Sequence, residues 1–156
     1  MEVRSILRGQ RSLRRGRSSH QNGIYHVTTC TANREPVFAR LFFGRCVVQA
    51  MRYEDARKFT RTRAFVVMPD HLHWLLQLIG PRSLSDCMRN VKAASSRGIN
   101  QQRSISDAVW QRGFHDHAIR RDEDLLAVAR YIIANPLRAG IVTRIGDYPL
   151  WDARWL

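Results

Sequence analysis

Lysine is nearly absent from this chain: Lys58 and Lys92 are the only two among 26 cationic side chains, the rest being arginine. Acidic residues are also scarce, 13 in 156 residues. Cysteine is rare and scattered at positions 30, 46 and 87, which makes neither a zinc-ribbon spacing nor a disulfide framework and suits a reducing compartment. The longest apolar stretches, such as Leu72–Ile79, stop far short of the ~20 residues that span a bilayer, which excludes an integral helical membrane protein. The basic N-terminus has no apolar core segment, so it does not read as a secretory signal. A Walker-type glycine loop is missing, so nucleotide hydrolysis has no obvious seat.

The composition that remains is globular, 44% apolar and 25% charged, with a net charge of +13. Arginine grips phosphates in a two-pronged fork and stacks on bases. The excess therefore points to a polyanion, most simply nucleic acid, and to a cytoplasmic, nucleoid-associated protein. Residues 1–20 hold six arginines and a single acid and read as a basic, partly disordered tail.

Periodicity organises residues 21–142. A β-rich run, Ile24–Thr31, follows the Asn22-Gly23 turn signal. Phe42–Phe59 carries Phe43, Val47, Ala50 and Met51 at helical spacing. Arg63–Met68 and His71–Ile79 read as two strands around the Pro69-Asp70 turn. Ser83, with Asp86 three residues on, opens a second helix in capping-box fashion. Val109–Ile119 reads as a fourth strand. Asp122, Glu123 and Asp124 place negative charge on the first turn of a third helix, which must end by Asn135 because Pro136 follows. The order βαββαβ plus a last helix predicts an α+β, ferredoxin-like domain: a four-stranded antiparallel sheet, two helices on one face, the other face open. Residues 143–156 read as a C-terminal tail.

Two segments carry chemistry. In the third strand Leu72, Trp74, Leu76 and Leu78 alternate with His71, His73 and Gln77, so two imidazoles stand side by side on the face away from the helices. Residues i and i+2 lie roughly 7 Å apart, close enough to share one cation. His115 and His117 form a second such pair without clear apolar alternation behind them. In the third helix Leu125, Leu126, Ala129, Ile132 and Ile133 form the buried stripe. Tyr131 points away from it, and Asn135 lies one turn beyond. A phenol can attack a phosphodiester when a Lewis acid polarises the phosphate, and a carboxamide oxygen can complete a two-histidine cation site. Asn135 is equally suited to capping the helix before Pro136. Arg89, Lys92, Arg97 and Arg138 are candidate phosphate contacts, and Trp110 a candidate for stacking on an unpaired base.

The string Met68-Pro69-Asp70-His71-Leu72-His73-Trp74 resembles the HUH motif of tyrosine transposases. The run from Tyr131 to Val142 (Tyr-Ile-Ile-Ala-Asn-Pro-Leu-Arg-Ala-Gly-Ile-Val) is similar to the tyrosine-bearing helix of REP-associated tyrosine transposases. Tyr25-His26-Val27-Thr28 resembles their first strand, and Trp110–Asp116 their fourth. The resemblance implies a catalytic domain over residues 21–142 acting on single-stranded DNA with hairpins or REP-like palindromes, as a monomer or homodimer. It implies His71, His73 and Asn135 as ligands of Mg²⁺ or Mn²⁺, and Tyr131 as the nucleophile forming a 5′-phosphotyrosine. Relatives from mobile insertion sequences usually carry Gln at the position of Asn135. Two other readings compete. A non-catalytic ferredoxin-like module would bind single-stranded nucleic acid and keep its function without the Tyr131 hydroxyl. A zinc hydrolase using His115 or His117 as a further ligand would form no covalent adduct.

Overall fold

The computed structural model describes residues 19–120 and 123–154. Almost all of the expected basic tail, and Asp122 with it, lies outside them. The elements are β1 (Ile24–Cys30), α1 (Leu41–Ala56), β2 (Thr60–Met68), β3 (His71–Leu78), α2 (Leu84–Arg103), β4 (His115–Ala118), α3 (Leu125–Ile133), α4 (Asn135–Arg138) and β5 (Trp151–Ala153). Every strand pairing is antiparallel, in the order β4-β1-β3-β2-β5. The first four strands of that order are the ferredoxin-like arrangement predicted from the pattern. Among the described residues no helix is long and apolar enough to cross a membrane.

Local chemistry accounts for the boundaries. The Ser83 hydroxyl accepts from the Asp86 N–H and starts α2. The Asp124 carboxylate accepts from the N–H groups of Leu126 and Ala127 and starts α3. Pro136 cannot extend α3, and it sits instead in the first turn of the separate helix α4.

Three expectations are corrected. The sheet has five strands rather than four, because residues 151–153, read as part of a tail, pair with β2. Tyr148 fastens this segment, its hydroxyl donating to the Val67 carbonyl in a buried contact. The fourth strand is shorter than Val109–Ile119: Gly113 takes φ 76°, and the Lys92 ammonium binds the Gln111 and Gly113 carbonyls, drawing them out of any ladder. The face opposite α1 and α2 is only half open. Helix α3 covers it over β2, β5 and part of β3. Leu75 shares that face with His71 and His73 and is 0% exposed.

The main core lies between the sheet and α1/α2. Val27, Leu72, Trp74, Leu76 and Leu78 from the strands meet Val47, Met51, Leu84, Met88 and Val91 from the helices. Burying such side chains contributes ~1.5–3 kcal/mol each. That packing holds β1 and β3 rigid, so their outward residues are carried on a stiff platform.

Candidate active site

Strand alternation puts the histidines where expected. Leu72 and Trp74 are fully buried, and the rings of His71 and His73 stand on the other face with centroids 5.0 Å apart, nearly edge to face. The neighbouring strand contributes more than its sequence advertised. Strand β1 alternates as cleanly, with Tyr25, Val27 and Thr29 inward and His26 and Thr28 outward. Its register sets Thr28 opposite His73 and Cys30 opposite His71. The His73 Nδ1 lies 3.0 Å from His26 Nε2 and 3.1 Å from Thr28 Oγ1. The His71 Nδ1 lies 2.7 Å from an Asp70 carboxylate oxygen, and Arg34 holds the other oxygen at 3.0 Å. His26, Thr28 and Asp70 were not singled out from the sequence; the alternation in β1 is the signal that marks the first two.

Burial favours the neutral form of these imidazoles. Burial pushes His73 down to about 3, with the neighbouring His71 and His26 and the Arg138 charge adding to it. Burial likewise takes His26 to about 4, with His117 and His115 adding to it. Burial lowers His71 below the ordinary histidine value, although Asp70 opposes the shift. Burial would raise Asp70, but His71 and Arg34 outweigh it and hold the carboxyl below its usual range. Neutral imidazoles keep a lone pair each, which is what a cation ligand needs.

The tyrosine helix presents its phenol outward. Ala129, Ile132 and Ile133 are buried, whereas Tyr131 is 57% exposed. The Arg138 guanidinium sits 4.0 Å from the centre of the Tyr131 ring, and one of its N–H groups donates to the Tyr131 carbonyl at 2.7 Å. Arg138 also makes a small contribution to the lowering of His73. Asn135 turns its amide nitrogen back on α3, donating to the Ile132 carbonyl at 2.9 Å and more loosely to that of Tyr131. It caps the helix, and its Oδ1 is the atom left to act as a ligand. Among the described residues no three His, Cys, Asp or Glu side chains form a metal-holding group, so a cation here would need the carboxamide or the substrate to complete its shell.

The remaining candidates lie elsewhere. Arg89, Lys92 and Trp110 line a groove of about 740 Å³ along α2, together with Arg112 and Phe114. Trp110 is only 8% exposed; it donates to the Ser95 hydroxyl and packs on Phe38. Lys92 pins the 111–113 backbone, and Arg89 pairs with Asp86. Arg97 is exposed on the same helix, outside that groove. Of the rival pair, His115 lies opposite Thr28 and His117 opposite His26, with the His117 Nε2 2.9 Å from the Glu123 carboxylate.

A family model described as IS200-like transposase matches residues 19–135. The chain belongs to that family. It is similar to the REP-associated tyrosine transposase of Escherichia coli K12, with 31% identity over 87 residues, 55% of this chain and 50% of the relative. The chain thus spans about half the length of that relative. An uncharacterized Haemophilus influenzae protein is 24% identical over 151 residues, covering 74% of this chain and 81% of its own length. A solved REP-associated tyrosine transposase bound to a REP hairpin has the same fold, with a TM-score of 0.70 at 23% identity over 86% of this chain and 79% of that one.

Proposed function

We propose that this member of the IS200-like transposase family cleaves and rejoins single-stranded DNA carrying hairpins, with Tyr131 as nucleophile and His71, His73 and Asn135 as the cation site. The carrying observation is the pair of neutral imidazoles on one sheet face with an exposed phenol on the helix that covers the same face. A divalent cation such as Mg²⁺ or Mn²⁺ in that site would polarise the scissile phosphate. The donor set suits it: two imidazole nitrogens and a carboxamide oxygen leave positions for phosphate and water.

Tyr131 attacks phosphorus in line with the departing 3′ oxygen. The phenolic oxygen–phosphorus bond forms as the phosphorus–3′ oxygen bond breaks; the phenol proton is lost and the leaving oxygen gains one. The product is a 5′-phosphotyrosine and a free 3′-hydroxyl. A 3′-hydroxyl from another strand reverses the exchange, and the bond energy is conserved without a nucleotide cofactor. Hairpin DNA as the substrate is supported by the REP hairpin held by the solved relative. Of the cationic candidates, Arg138 stands beside the tyrosine, whereas Arg89, Lys92 and Arg97 on α2 serve as phosphate contacts further along a bound strand.

The test is an incubation with end-labelled single-stranded hairpin DNA and Mn²⁺, resolved on a denaturing gel. A labelled covalent adduct should form, and Tyr131→Phe should abolish it while retaining DNA binding. Binding without any adduct from the wild-type protein would instead mark a non-catalytic module.

A further inference from the structure

We infer that Asp70, Thr28 and His26 are positioning residues that fix the tautomer of both site histidines, so that each presents its Nε2 to the cation. The inference rests on the reading of His71 and His73 as ligands, and deepens it by naming the ligating atom and what holds it.

For His71 the argument is one of donors and acceptors. Asp70 bonds Arg34 with one carboxylate oxygen and the His71 Nδ1 with the other. An ionised carboxylate can only accept, so Nδ1 carries the hydrogen. In the neutral ring Nε2 is then the bare nitrogen.

For His73 the argument is topological. Strand β3 has β1 on one side and β2, with α3 and α4 packed over it, on the other. The His73 Nδ1 is committed to the β1 side, between Thr28 Oγ1 and His26 Nε2. Nε2 is the nitrogen left free of those contacts. A ligating nitrogen must present a lone pair, so with His73 as a ligand the hydrogen belongs on Nδ1, with Thr28 and His26 as its acceptors. A histidine that donates its second nitrogen to a fixed acceptor is held in both tautomer and ring orientation, and loss of such a partner typically costs ten- to a hundredfold in metal affinity.

Two measurements test this. Long-range ¹H–¹⁵N spectra of the metal-free protein at neutral pH should show His71 and His73 as Nδ1–H tautomers; an Nε2–H tautomer at either residue overturns the assignment for that residue. Mn²⁺ titration by calorimetry should show affinity falling about tenfold or more in Asp70→Leu and in the double variant Thr28→Val/His26→Phe, with Thr28→Ser close to wild type. Affinities within twofold of wild type in both disrupted variants would overturn the positioning role. Should the wild-type protein fail to bind Mn²⁺, the cation site itself falls, while the tautomers are still read from the metal-free spectra and decide the inference separately.

Discussion

The Arg138 guanidinium lies 4.0 Å from the centre of the Tyr131 ring and donates to the carbonyl of the same residue. One side chain therefore restrains both the ring and the backbone of the proposed nucleophile, and its charge reaches His73. Arg138→Ala should lower adduct yield roughly two- to fivefold, the scale of an exposed cation–π contact. The salt dependence of single-stranded DNA binding should weaken by the equivalent of about one phosphate contact. Arg138 is exposed, so the melting temperature should stay at the wild-type value. Gel assays for the adduct and binding isotherms at several salt concentrations check both effects.

A second prediction concerns the interior. Glu54 is 2% exposed, and both its carboxylate oxygens accept from Arg82, which also stacks 3.6 Å from the Phe59 ring centre. Arg82→Ala would strand a buried carboxylate and should destabilise the fold by ~3–5 kcal/mol. Replacing Glu54 with Gln in the same background removes that charge and should restore part of the loss. Urea unfolding of the single and double variants measures the difference.

Thiol chemistry offers a third. Burial, with the Glu54 carboxylate alongside, pushes the Cys87 thiol up to about 12. A raised thiol pKa keeps the group protonated and unreactive well above neutrality. Between pH 7 and pH 9 iodoacetamide should therefore label the partly exposed Cys30 and Cys46 ahead of Cys87. Peptide mass spectrometry of protein alkylated in the native state reads the order directly.

Backbone proximity gives the fourth. A Cβ at Gly80 would come 2.8 Å from the Lys58 carbonyl oxygen and 3.1 Å from the Phe59 Cα, and neither backbone atom can swing aside. Gly80→Ala should cost ~1–3 kcal/mol, the usual penalty of forced overpacking. Because this junction is at the far end of β3 from His71, DNA cleavage below the melting transition should persist.

Much of this architecture is legible in the sequence. Alternation of period two placed His71 and His73 on one face, and helical spacing turned Tyr131 outward; both rules act through neighbours a few residues away. What the sequence does not show depends on distant pairing. Strand β5 is three residues long and finds β2 across most of the chain, so no local pattern announces it. Leu75 breaks the polar row of β3 because α3 covers it, a fact that strand periodicity alone cannot contain. The intramolecular partners of Lys92 and Trp110 are likewise distant in sequence: the Lys92 ammonium holds the Gln111 and Gly113 carbonyls, and the Trp110 N–H donates to the Ser95 hydroxyl. The partners of His26 and Thr28 follow from cross-strand register, which decides which imidazole they meet.

Helix α3 rests on β5 as well as on β2, and β5 is tied down through Tyr148 and the Leu150 carbonyl. The proposed nucleophile thus borrows part of its foundation from the segment around Tyr148–Ala153, whereas the paired imidazoles stand on strands laid down much earlier in the chain. Loosening that late segment would misaim the phenol and leave the imidazoles in register, so chemical competence and ion capture within a single site can be uncoupled from a distance.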